Sequence, residues 1–186
     1  IRDRCQIAHP QIRSRTTIGG SVAHADPAAE LPALLLALDG TIVLQSRARG
    51  ERTVSADDFL AGPMMTAREP DELLSSVSFP SHPGPVAVLE VVKRPGDFAI
   101  VGAVVAYAIA DGVISSPRIT LFGVAGRPER MASAEAALRG AVPGADSFKT
   151  AVELLRDEID PRSDSHASSE YRRQVAATLV ERALFS

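Results

Sequence analysis

Apolar positions along this chain follow two regimes, and the change between them sets the expected architecture. In the first regime, short apolar runs alternate with turn residues. Leu31, Leu34, Leu35 and Leu38 stand at helical spacing and predict one buried helix stripe. Pro32 lacks an N–H and its ring clashes with a preceding helical turn. The pattern therefore predicts a tight turn over 26–31, then a helix from Pro32 to about Asp39-Gly40. Thr41-Ile42-Val43-Leu44 and Glu51-Arg52-Thr53-Val54 read as a hairpin across 47–50. Residues 56–60 read as a short helix closed by Gly62-Pro63, and 72–80 as a strand stopped by Pro80.

Ser81-His82-Pro83-Gly84-Pro85 punctuates the chain and marks the expected boundary between domains at 1–82 and 83–186. Beyond it come three β-rich runs, 86–92, 98–110 and 113–124, with Asp111-Gly112 as a two-residue hairpin signal. Helical periods then take over. Residues 130–139 end at Gly140, a good helix-stop residue. Phe148, Val152, Leu155 and Ile159 form one stripe, with Asp146 as the expected cap. Tyr171, Val175 and Leu179 repeat the pattern in a last helix starting near Ser168. The predicted class is α+β: a three-stranded antiparallel sheet with helices packed on one face, preceded by a smaller mixed unit.

Composition narrows the function. A net charge of −3 and 45% apolar residues exclude disorder and a bulk nucleic-acid binder. Trp is absent and aromatics make up 4%, so no platform for stacking single-stranded bases is expected. The longest apolar runs are too short or too interrupted for a membrane span, and no secretory signal is visible, so a cytoplasmic location is expected. One cysteine, Cys5, rules out an internal disulfide and a cysteine-ligated cluster within this chain. Arg2, Arg4, Arg13 and Arg15 against Asp3 make the first fifteen residues basic, either to favour an anionic ligand or as a solvated or docking arm.

The candidate chemistry lies in the string from Thr16 to Pro32. Gly19 and Gly20 lack Cβ atoms, so a turn there can take positive φ and press its backbone against a ligand. Thr16, Thr17 and Ser21 add hydroxyl donors, and successive free N–H groups make a concavity suited to phosphate. A plain turn is the alternative. Asp26-Pro27 reads as a turn or helix start. His24 and Asp26 lack a further cluster at metal-ligand spacing, and no Gly-x-Ser-x-Gly elbow occurs. His166 reads as a loop-to-helix cap, Arg172-Arg173 as a solvated face or subunit contact, and His9 and His82 as turn residues. No side chain stands out as acid, base or nucleophile.

The whole string, with Ala8-His9-Pro10-Gln11-Ile12-Arg13 upstream, resembles the second FAD-binding signature of the flavoprotein (medium) subunits of molybdenum hydroxylases. That family includes aerobic carbon monoxide dehydrogenases, N-heterocycle dehydrogenases and the central domain of xanthine dehydrogenase. Lys93-Arg94-Pro95-Gly96-Asp97-Phe98-Ala99 and Ser168-Ser169-Glu170-Tyr171-Arg172-Arg173 are similar to the C-terminal domain of the same subunits. The resemblance implies a partial second FAD subdomain (PCMH-type) over 1–82 and a flavoprotein C-terminal domain over 83–186. It also implies that Thr17, Ile18, Gly19, Gly20 and Ser21 wrap the FAD pyrophosphate and that Ala8 touches the cofactor through its backbone. His24 would line the flavin, Asp26 cap the turn, Glu30 accept from ribityl or ribose hydroxyls, and Leu74 contact the flavin region. Val88 and Leu89 stand where some relatives place an aromatic or a Lys near the isoalloxazine.

The first glycine-rich FAD loop of the family does not precede Thr17 here, so the chain reads as N-terminally truncated. The function implied is a flavin-carrying electron-transfer subunit. Its partners would be a large subunit with a molybdenum cofactor and a small subunit with iron–sulfur clusters of the two-iron type, whose electrons pass through FAD to an external acceptor. The alternative is a non-catalytic interaction module that docks those subunits without holding FAD.

Overall fold

The computed structural model describes residues 7–186, so Arg2, Asp3, Arg4 and Cys5 lie outside the described residues. The first half opens with three helices, α1 (Pro10–Arg13), α2 (Ile18–His24) and α3 (Glu30–Ala37). Pro32 is the third residue of α3, where a backbone N–H has no intrahelical acceptor in any case, so the ring costs no hydrogen bond. The helix therefore begins two residues earlier than the Pro32 start its sequence suggests. It ends where Asp39 takes φ 52° and the Gly40 N–H returns to the Leu35 carbonyl at 2.8 Å.

The expected hairpin forms from β1 (Thr41–Ser46) and β2 (Gly50–Ser55), in register from Thr41↔Ser55 to Ser46↔Gly50. A one-turn helix α4 (Ala56–Phe59) follows, then a small ribbon of β3 (Leu60–Gly62) and β4 (Met65–Thr66), and β5 (Glu72–Ser78). β5 pairs with the free edge of β1, giving the order β2-β1-β5. Ile42 and Leu44 alternate inward and pack with Val22, Leu35, Leu36 and Phe59. At one end of the same face, opposite Leu44 and Ser46, Arg52 of β2 donates twice to the buried carboxylate of Glu72 on β5, at 2.7 and 2.8 Å.

The second half is built on β6 (Val86–Val92), β7 (Ala99–Ala110) and β8 (Val113–Phe122), the three expected strands, with a two-residue β9 (Glu129–Arg130) added at the edge. Helices α5 (Ala132–Leu138), α6 (Ala145–Glu158) and α7 (Ser169–Leu184) follow. They cover one face of the sheet, burying Val101, Ala103, Val105, Ile119 and Leu121 against Leu138, Phe148, Leu155 and Val180. Gly140 takes φ 78° as a helix-stop glycine should, and Ser168 caps α7 by accepting from the Tyr171 N–H at 3.2 Å. The α6 cap is Gly144 rather than Asp146, which sits inside the first turn beside the helix's positive end.

The other face of this sheet is also covered, and from the first half of the chain. Ala33 and Ala37 of α3 pack on Ala99, Val104 and Phe122, with Leu34, Val88 and Val92 at the margin. β7 is therefore buried on both faces, which explains its unbroken apolar run. Gly102 leaves room for the Phe122 ring, which would collide with any Cβ there.

Candidate functional site

A cavity of about 1240 Å³ opens where the chain around α1–α3 meets the β6–β7 connection, the turn after β8 and the loop before α7. Its first wall starts at Ala8, which holds the positive φ of 54° that a non-glycine residue adopts only under constraint. Thr17 is the N-cap of α2, and its hydroxyl accepts from the Gly20 N–H at 2.9 Å. Gly19 and Gly20 are therefore helical residues, not the positive-φ turn their sequence suggests. A cap at Thr17 lets the chain enter a helix directly, so the left-handed freedom of glycine goes unused.

The missing Cβ atoms matter for packing instead. A Cβ on Gly19 would lie 3.2 Å from Leu74 Cδ2, and one on Gly20 would lie 2.9 Å from Thr17 Oγ1. α2 stops at Ala25 (φ 51°), and Asp26 turns the chain by accepting the Ala28 N–H on Oδ1 at 2.8 Å. Glu30 then opens α3. Burial raises its carboxyl above the ordinary range, and the neighbouring Asp26 charge pushes the same way against its hydrogen bond to its own backbone N–H.

The opposite wall is held by Arg172, which is only 5% exposed and so is not the solvated face its sequence suggests. Its guanidinium donates to the carbonyls of Ile100 and Gly123 and pairs with Asp164 at 2.6 Å. Asp164 is held down at about 2, chiefly by the Ala167 N–H, then by the His166 N–H and Arg172. Gly123, at φ 73°, returns its N–H to the Pro27 carbonyl at 2.8 Å and so ties this wall to the first. No local signal marks Arg172 for burial, because Arg173 beside it carries the same charge and stays partly exposed.

Of the sequence-derived candidates, Ala8, Gly20, Ser21, His24, Asp26 and Glu30 line the cavity. Thr17, Ile18, Gly19 and Leu74 do not. Thr17 is occupied with its cap, Ile18 is 57% exposed on the outside of α2, and Leu74 packs between Gly19 and the β1 core. Phe98 lines the cavity with 61% of its surface exposed, an apolar ring available for stacking that sequence reasoning passed over. Among the described residues no group of three or more His, Cys, Asp or Glu side chains could hold a metal ion.

A volume above the usual range for drug-sized ligands, an open aromatic face, glycine backbone and both carboxylates and cations suit a dinucleotide. Fold and cavity together define a two-unit α+β module with a dinucleotide-sized cavity lined by both units. Residues 4–82 match the FAD binding domain in molybdopterin dehydrogenase, and residues 87–186 match the CO dehydrogenase flavoprotein C-terminal domain. The chain belongs to this family, the flavoprotein medium subunits of molybdenum hydroxylases.

The nicotine 6-hydroxylase medium subunit of Paenarthrobacter nicotinovorans is 40% identical over 178 residues, covering 96% of this chain and 62% of the relative. The carbon monoxide dehydrogenase medium chain of Hydrogenophaga pseudoflava is 33% identical over 180 residues, again 96% of this chain and 62% of the relative. Among solved structures, quinoline 2-oxidoreductase from Pseudomonas putida 86 superposes with a TM-score of 0.90 at 36% identity, over 96% of this chain and 62% of that one. The chain thus spans about 62% of the length of the curated relatives it matches. No described helix is long and apolar enough to cross a membrane.

Proposed function

We propose that this chain carries part of the FAD site of a cytoplasmic molybdenum hydroxylase. In that reading it passes electrons from the iron–sulfur clusters of a small partner subunit to an external acceptor, while a large partner subunit holds the molybdenum cofactor. The observation that carries the reading is the cavity itself. It gathers Ala8, Gly20, Ser21, His24, Asp26 and Glu30 from one stretch against Phe98, Gly123 and Arg172 from the other.

FAD, when bound, supplies the exchange between one-electron and two-electron chemistry, and the chain supplies binding and electrostatics. Gly20 leaves backbone open to the ligand, Ser21 offers a hydroxyl, and Glu30 accepts from a ribose or ribityl hydroxyl. Phe98 offers a face to a planar ring. Arg172 holds the far wall in place without itself reaching out. Residues 1–82 form the FAD-binding unit and 83–186 the C-terminal unit.

A second reading is a docking module without flavin. It draws on Met65 and Leu73, apolar side chains 61% and 75% exposed away from the cavity. The visible absorption spectrum of the protein, purified and after incubation with FAD, separates the two. A flavin band that co-elutes with the chain supports the first reading, and a colourless protein that still captures iron–sulfur and molybdenum subunits supports the second. A fluorescence titration of FAD into the chain checks the same point: saturable binding supports the first reading, and its absence supports the second.

A further inference from the structure

The stretch from Ile7 to Thr16 walls one side of the cavity, yet little fastens it to the rest of the molecule. Ile7, Ala8, His9, Ile12 and Thr16 line the cavity. α1 buries none of its residues, and no residue of the stretch belongs to a hydrophobic core. Its hydrogen bonds turn inward. The Ile12 and Arg13 N–H groups both donate to the His9 carbonyl, at 2.9 and 3.0 Å, and the Ser14 N–H donates to the Pro10 carbonyl at 3.0 Å. The Arg13 guanidinium folds back onto the carbonyls of Ile7 and Ala8, at 3.1 and 2.6 Å, and so braces the left-handed turn at Ala8. Among the described residues, each hydrogen bond made by 7–16 has both ends within that stretch.

One side chain reaches across. His9 lies over Gly96 in the β6–β7 connection, and its Nε2 stands 3.7 Å from Asp97 Oδ1. Gly96 takes φ 90°, and its lack of a side chain leaves room for the ring. A Cβ there would lie 2.7 Å from His9 Nδ1 and 2.8 Å from His9 Cε1, closer than side chains pack. Gly96 and Asp97 line the same cavity from the second half of the chain, so the His9 contact joins one wall to the other. The His9 and Asp97 side chains are 47% and 40% exposed, and a pair so open to water is weak. At its other end the stretch runs into Thr17, the cap that fixes the start of α2.

We propose that residues 7–16 form a braced strap, hinged at Thr16–Thr17 and latched by His9 on Gly96 and Asp97, that opens to admit a ligand to the cavity and closes over it. An internally bonded segment with one weak cross-contact moves as a unit, because opening breaks that contact and none of the segment's own hydrogen bonds. That the admitted ligand is FAD rests on the reading above; the latch does not.

The test has two readouts. In the flavin-free 186-residue chain, trypsin must open the strap to cut after Arg13 or Arg15, and mass spectrometry follows those two cuts. His9→Ala removes the latch at an exposed position and should speed both cuts about three- to fivefold, with cuts in the second half of the chain unchanged. Gly96→Ala leaves the strap's own sequence intact and should do the same. Unchanged rates at Arg13 and Arg15 in folded His9→Ala overturn the strap, and so does an equal acceleration at sites throughout the chain. Should Gly96→Ala fail to fold, His9→Ala decides alone. The second readout is flavin fluorescence after rapid mixing with FAD. A loosened strap speeds FAD entry and exit together, whereas a lost wall contact speeds exit alone, so faster exit with unchanged entry in His9→Ala overturns the gating. A chain that binds no FAD but frees Arg13 and Arg15 in His9→Ala upholds the strap and removes the FAD reading, while flavin retention with unchanged cuts does the reverse.

Discussion

At the scale of single residues, burial decides what a charged side chain does. Arg172 has three protein acceptors and almost no solvent, so replacing it with Ala leaves two carbonyls and Asp164 short of a donor. The expected cost is about 3 kcal/mol, which lowers Tm by roughly 6–12 °C for a chain this size. Calorimetry checks it. Arg172→Lys should recover only part of the loss, because a single ammonium cannot both serve the two carbonyls, as Nη1 does, and reach Asp164, as Nη2 does. Gly20 is the complementary case. In Gly20→Val the new Cβ lies 2.9 Å from Thr17 Oγ1, and the branched side chain adds bulk at a residue that lines the cavity, so flavin retention should fall sharply. Thr17→Ala is the control: it removes the cap at about 1 kcal/mol while leaving Gly20 bare. Equal flavin content in folded wild type and Gly20→Val would show that Gly20 makes no close approach to the cofactor.

At the scale of elements, pairing across strands carries a pH signature. Arg52 of β2 and Glu72 of β5 flank β1 and clasp each other, and the Glu69 N–H adds to the same carboxylate. Glu72 is held down from 4.5 to about 2, first by Arg52 and then by that N–H. A depressed carboxyl contributes its stability above the ordinary value and loses it as pH falls toward the folded one. The small sheet should therefore weaken between about pH 4.5 and pH 2, and Glu72→Gln should flatten that part of the acid-unfolding curve. A variant with an unchanged acid slope would show that the clasp is not linked to folding.

At the scale of the whole molecule, α3 joins two cores. One side of the helix packs on the β1 core through Leu35 and Leu36, the other on the large sheet through Ala33 and Ala37. A chain of residues 83–186 keeps its own strands and the α5–α7 cover, so it should give a folded far-UV spectrum. It would also uncover Val88, Val104 and Phe122, so it should self-associate or melt at a lower temperature than the full chain. A random-coil spectrum would move the boundary away from residues 81–85.

What the chain determined by itself is local. The Asp111-Gly112 hairpin, the Ser168 cap, the Gly140 stop and the apolar stripe of α6 each depend on a few neighbours in sequence, so their signals survive in one dimension. Of the expected α3 stripe only Leu35 is buried, because the helix is covered on two sides rather than one. The glycine pair and the Ala8 stretch were legible too, though as a cofactor motif rather than as the helix start they become. The contacts between distant segments were decided only in three dimensions. Pro27 with Gly123 and Arg172 with Ile100 lie far apart along the chain, and no local pattern marks either of them. Packing α3 against the sheet brings them together, because an eight-residue helix with apolar residues on two sides must bury both.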